Sequence, residues 1–143
     1  MGKVLAGVGT GSVSVTVGGV DLTDHVKSIT INQAYDKVDI TPMGVISKQY
    51  SPGLRDDSID IEFFQDWAAS SVDQTLYPLL GNNTGTTLII QTSGTTVSTT
   101  QPKYTMVSCI YTYTPFDGEV GAALMNKVSF SPAAGATITR ATS

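Results

Sequence analysis

The side chains that could do chemistry are few and scattered. The one histidine, His25, lies close to Asp24 and Lys27. A general base needs a partner and a pocket, and a single imidazole specifies neither, so His25 reads as a surface turn residue. The one cysteine, Cys109, leaves no disulfide framework and reads as a small core side chain. Together they supply too few of the usual zinc ligands. Asp56 and Asp57 are of the type that binds hard cations, but nothing near them has calcium-loop spacing, and they read as a solvated strand start. Asp60 and Glu62 fall on one strand face. Paired carboxylates can hydrolyse glycosides, yet a pair on an open strand face more often meets only water. The serines lack the strand–turn–helix elbow of a hydrolase. Gly7, Gly9 and Gly11 precede a strand, whereas a phosphate-binding loop follows one and opens a helix. Asn82-Asn83-Thr84 matches a glycosylation triplet that a cytoplasmic chain would not use. No catalysis, no metal and no cofactor are expected.

The elements that hold these residues are mostly strands. From Asp57 the chain alternates, with Ile59, Ile61 and Phe63 on one face and Ser58, Asp60 and Glu62 on the other. That is the period of a strand with one buried side. Ser70 and Ser71 stand three residues before Asp73 and Gln74, in the arrangement of a capping box. Val72, Leu76, Leu79 and Leu80 follow at helical spacing, and Gly81 suits the helix end. One short helix over about residues 69–80 is expected to lay those four side chains on Ile59, Ile61 and Phe63. A helix so short is marginal alone, so a sheet must support it.

Further strands read over Val13–Val17, from Val20 towards Val26, Val26–Ala34, Lys37–Thr41, Thr87–Thr92, Lys103–Thr114, Leu124–Ser131 and Ala136–Arg140. Gly18-Gly19 marks a tight turn, and Tyr35-Asp36 marks a hairpin between two of the strands. Pro115–Gly118 should break the long Tyr/Thr-rich strand. Pro42–Gly53 reads as a long loop, longer than a hairpin needs. Residues 1–12 read as a flexible, Gly-rich arm. The class is mainly β: a sandwich or partial barrel of about eight strands with one flanking helix, in a single domain over residues 1–143.

Bulk properties point the same way. A chain of 143 residues can bury about 70% of its unfolded surface. Charged residues make up only 14%, and Thr, Ser and Gly fill the gap, which suits a surface made for contact with other subunits. The net charge of −4 argues against a protein that grips nucleic acid by its phosphates. No apolar run reaches membrane-spanning length, and the N-terminus has too weak an apolar stretch for a signal peptide. A cytoplasmic product, or one assembled there, is expected.

Three segments taken together resemble the major tail tube protein of long-tailed bacteriophages: VDLTDHVKSITIN at Val20–Asn32, DKVDITPMG at Asp36–Gly44 running on to Pro52–Asp56, and SIDIEFFQDWAASSVDQTLYPLL at Ser58–Leu80. Looser likeness follows at Asn83–Gln91, Gln101–Tyr104 and Pro115–Gly121. The resemblance implies a β-sandwich with one helix that forms hexameric rings. Each subunit would give a sheet to a continuous barrel around a lumen, and the rings would stack into a tube that passes the double-stranded DNA genome without binding it specifically. It further implies ring-to-ring contacts through the long loop, at Met43, Gly44, Tyr50, Pro52 and Gly53, and through the terminal arms. It places the chain in the virion tail, assembled in the host bacterial cytoplasm, beside tape-measure, tail-tip and tail-terminator proteins. If the strand holding Ser58, Asp60 and Glu62 belongs to the barrel, those three residues line the lumen; otherwise they are a solvated outer face. Two alternatives belong beside this one: a β-sandwich adaptor at the neck or tail tip, and the tube of a gene transfer agent or secretion machine.

Overall fold

The computed structural model describes residues 13–92, 97, 99 and 102–143. The N-terminal arm expected over residues 1–12 lies outside them, as does most of the polar excursion expected over residues 93–101. Eight strands form one antiparallel sheet. They are β1 (Ser14–Val17), β2 (Val20–Asp21), β3 (Val26–Asp39), β4 (Tyr50–Phe64), β5 (Thr86–Gln91), β6 (Lys103–Asp117), β7 (Met125–Pro132) and β8 (Thr139–Ala141). The order across the sheet is β2-β1-β5-β6-β7-β4-β3, with β8 beside the start of β6. β6 is the long spine shared by both halves: β5 pairs with its first part and β7 with its second.

Alternation dictates one core. Val15 and Val17 of β1, Leu88 and Ile90 of β5, Met106 and Ile110 of β6, Val128 and Phe130 of β7, and Ile59, Ile61 and Phe63 of β4 are all buried in a single cluster. A sheet buries one continuous apolar face by curling over it or by packing another element on it, and Val72, Leu76 and Leu79 join this cluster. Leu22 joins the cluster from the 3-10 turn Thr23–His25's leading edge. The β1–β2 turn needs positive φ at both central residues, and Gly18 and Gly19 supply it at 56° and 86°.

Strands β3 and β4 differ from the sequence reading. No turn forms at Tyr35-Asp36: β3 runs unbroken, and the chain reverses between Ile40 and Gln49. The registers Tyr35↔Arg55 and Lys37↔Pro52 leave Gly53 and Leu54 facing Asp36 alone, which is a bulge. Gly53 fits there because a Cβ would lie 2.9 Å from Val38 Cγ2. Thus Tyr50, Pro52 and Gly53 belong to a strand, and only part of the loop expected over Pro42–Gly53 is loop. Pro115 likewise does not end β6, which continues to Asp117. The ladder is irregular between Thr114 and Asp117, so the missing N–H of proline costs no regular pairing.

The helix is shorter than its pattern suggested. α1 covers Val72–Leu76 and tightens into a 3-10 turn over Tyr77–Leu79, around Pro78. Val72, Leu76 and Leu79 are buried with the β4 side chains, whereas Leu80 is 42% exposed. Leu80 has already left the helical phase, with φ −65° and ψ 116°, and forms a bridge to Ile110. The expected capping box does not form either. Ser71 makes no side-chain cap; its hydroxyl donates to Asp66 Oδ2 at 2.7 Å.

Candidate functional site

Two surface features stand out, one polar and one apolar. The polar feature is the outer face of β6, β7, β4 and β3. The registers align two rows across these four strands. Thr30, Asp60, Ser129 and Thr112 form one, and Ser28, Glu62, Lys127 and Thr114 the other. Each residue lies two positions from its counterpart in the next row, so all eight side chains share a face. Ser58 continues the face opposite Asn32. Ser28 Oγ donates weakly to Glu62 Oε2 at 3.5 Å. Lys127 Nζ lies 2.6 Å from Asp117 Oδ2, and that carboxylate holds the ammonium above its usual pKa. The one lysine of the rows is therefore already neutralised. Among the described residues, neither Asp60 nor Glu62 makes an ion pair.

The apolar feature is an arm. Beyond Gln33 and Asp57, β3 and β4 leave the core and run on as a two-stranded ribbon. Tyr35, Ile40 and Leu54 are well exposed, and Met43 and Ile46 at the tip are fully so. The ribbon is braced from within: Lys37 Nζ sits 3.8 Å above the Tyr50 ring, and the Arg55 guanidinium 5.6 Å from the Tyr35 ring. Its neck is closed by Ile40 N–H donating to the Gln49 carbonyl at 3.0 Å and by Gln49 N–H donating to Thr41 Oγ1 at 2.7 Å.

The arm's base is fastened by a residue that sequence reasoning misplaced. Asp57 is not a solvated strand start; it is 1% exposed. It takes the Arg55 Nε at 2.8 Å and accepts the Ile138 N–H at 2.8 Å, while Arg55 Nη2 donates to the Ile138 carbonyl at 3.0 Å. Burial pushes the Asp57 carboxyl up, but the Ile138 N–H, the Arg55 guanidinium and the Ala34 N–H outweigh it and hold it below the usual carboxylate range. These bonds tie the arm's root to the segment leading into β8. The clue in sequence was its parity: Asp57 shares the inward phase of Ile59, Ile61 and Phe63.

The histidine also acquires a partner. His25 Nε2 lies 3.1 Å from Asp66 Oδ2, the same oxygen that accepts from Ser71. The Ala68 N–H and the Ser71 hydroxyl, with His25, hold Asp66 below the usual carboxylate range. The three residue types are those of a hydrolytic triad, but the hydroxyl bonds the carboxylate and not the imidazole, so no base is poised to activate it. Cys109 is buried. Among the described residues, no three His, Cys, Asp or Glu side chains gather to hold a metal, and no helix is long and apolar enough to cross a membrane.

No family model and no curated protein matches the chain. Solved structures do. A chain of the native gene transfer agent virion superposes with a TM-score of 0.68 at 11% identity, over 90% of this chain and 95% of that one. The SPP1 tail tube gives a TM-score of 0.67 at 10% identity, over 95% and 81%. The sheath–tube complex of an extracellular contractile injection system gives 0.64 at 11% identity, over 96% and 93%. The chain thus shares the fold of the SPP1 tail tube chain and of these other particles' chains: one antiparallel sheet of eight strands with one short helix.

Proposed function

We propose that this chain is a structural subunit that assembles with its own copies into stacked hexameric rings, forming a tail tube for delivery of a double-stranded DNA genome. The observation that carries the reading is the half-sheet β6-β7-β4-β3, with one apolar and one polar face and two open edges. β3 is terminal in the strand order, and among the described residues no strand lies beside Tyr111–Asp117 on the side away from β7. Open edges invite further pairing, and a ring of copies joined edge to edge would remove them. Six copies follow the C6 symmetry of the tail of an empty gene transfer agent particle, a chain of which shares this fold.

In such a ring the polar face turns inward. Ser58, Asp60 and Glu62 line the lumen, joined by Ser28, Thr30, Thr112, Thr114 and Ser129. DNA passes a wall on which, among the described residues of the two rows, the one lysine is already paired with Asp117. The arm, with Met43, Gly44, Tyr50, Pro52 and Gly53, makes the contact between rings. The subunit resides in the virion tail, is assembled in the host cytoplasm, and meets tape-measure, tail-tip and tail-terminator proteins at the tube's inside and ends. Likeness to gene transfer agent and injection-system chains also favours a second reading, the same tube in such a particle.

Negative-stain imaging of the purified protein is the test. Stacked rings or tubes of uniform width are expected. A folded protein that stays monomeric at high concentration, and also when offered preformed tail tips, would overturn the reading.

A further inference from the structure

Strand β4 carries exposed apolar groups at both of its ends. At its start stands the arm tip, where Met43 and Ile46 are fully exposed. Just past its end stands a knob: Trp67, 47% exposed, packs in a tilted arrangement on Phe116, 68% exposed, with ring centroids 5.2 Å apart, and in the β6–β7 connection that follows Phe116 in the chain Val120 is fully exposed. Fifteen residues separate the two along one strand, roughly 45–50 Å at strand rise. No tip can reach its own knob. Soluble monomers rarely leave two such apolar clusters in water.

We infer that the arm tip of one copy docks on the Trp67–Phe116 knob and the β6–β7 connection behind it, which carries Val120, of the next copy along the stack. This rests on the reading above that copies stack. The two surfaces differ in kind and lie at opposite ends of one strand, so their contact is heterologous, repeating head to tail instead of closing as a dimer. Their chemistry is complementary. The tip offers aliphatic side chains and the Met43 thioether, which packs favourably at aromatic rings. Charges match too: Lys48 is the one charged residue between Ile40 and Gln49, while Glu119 adjoins Val120 and makes no ion pair among the described residues. Asp117 beside Phe116 is already taken by Lys127.

Ile46 and Val120 are fully exposed, so cysteines there leave the fold undisturbed, and Cys109 is buried. The full chain carrying Ile46→Cys and Val120→Cys is assembled, treated with a short bismaleimide and run under denaturing conditions. A ladder of covalent multimers is expected from the double variant. Mixed single variants should give covalent dimers only, since each copy then holds one exposed thiol beside the buried Cys109. Tubes that form in the microscope without a ladder would overturn the docking and leave the tube reading standing. Dimers from Ile46→Cys alone would overturn it in favour of arm-to-arm contact. Absence of any assembly, in the wild type as in the variants, would remove both.

Discussion

Asp57 is the residue on which the arm's attachment depends. Its carboxylate accepts the Ile138 N–H and neutralises Arg55 at the sheet edge. Truncation leaves a buried donor and a guanidinium unmatched. Breaking a fully buried pair costs roughly 3–5 kcal/mol, and Arg55 keeps some water, so Asp57→Ala is expected to cost about 2–4 kcal/mol in a denaturant melt. The pH dependence has a definite sign. Asp57 has a folded pKa below the ordinary 3.8, so its stabilisation is complete above that value and fades as pH falls through the folded pKa. The stability gap between wild type and Asp57→Ala should therefore be constant near neutrality and narrow in strong acid. A gap unchanged down to pH values well under the ordinary carboxylate range would show that the charge of Asp57 is not what holds the joint.

The helix and the arm are the two elements whose behaviour can be separated. Val72 and Leu76 are fully buried, and α1 is too short to persist without them. Leu76→Ala is expected to cost about 2–5 kcal/mol, the range for a cavity at a buried leucine, as read by a denaturant melt. A loss under about 0.5 kcal/mol would mean that the helix does not rest on the core as its burial indicates. The arm should behave in two parts. Tyr50, Ser51 and Pro52 are already laddered to Asp39, Val38 and Lys37, whereas residues 42–48 beyond the Thr41–Gln49 closure are not. Hydrogen exchange before and after assembly should gain protection in residues 43–48, with little change along the ribbon. Equal exchange of the tip in both states would take it out of any contact between copies.

The proposed tube carries an expectation of its own. Carboxylates facing a lumen repel phosphate over roughly 8 Å at physiological salt, whereas each free Lys or Arg would add a salt-dependent grip. Asp60 and Glu62 sit on the outer face of β4, with Lys127 occupied by Asp117. Changing both to Lys should still allow tubes, because an open strand face tolerates the swap, and should slow genome passage most at low salt. Ejection kinetics of an intact particle carrying Asp60→Lys and Glu62→Lys would measure it. Unaltered kinetics would place these side chains outside the channel.

Much of this architecture was written along the chain. Burial repeats every second residue in a strand, so Ile59, Ile61 and Phe63 declared an inward face and Ser58, Asp60 and Glu62 an outward one before any fold was known. Local spacing marked the helix for the same reason, though not its tightening at Pro78 or the departure of Leu80. What spacing could not contain was anything set by a distant partner. Whether Tyr35-Asp36 turns or runs straight depends on β4 pairing alongside it with one extra residue at Gly53, and that pairing is not encoded within either segment. Asp57 looked solvated because its partner Ile138 is remote in sequence, and a carboxylate enters a core only where such a partner waits. The eight residues of the polar face likewise come from four strands. Periodicity assigns each a side, but only the registers of β3, β4, β7 and β6 bring them into rows, because cross-strand neighbours are chosen by the hydrogen-bond ladder and not by position in the chain.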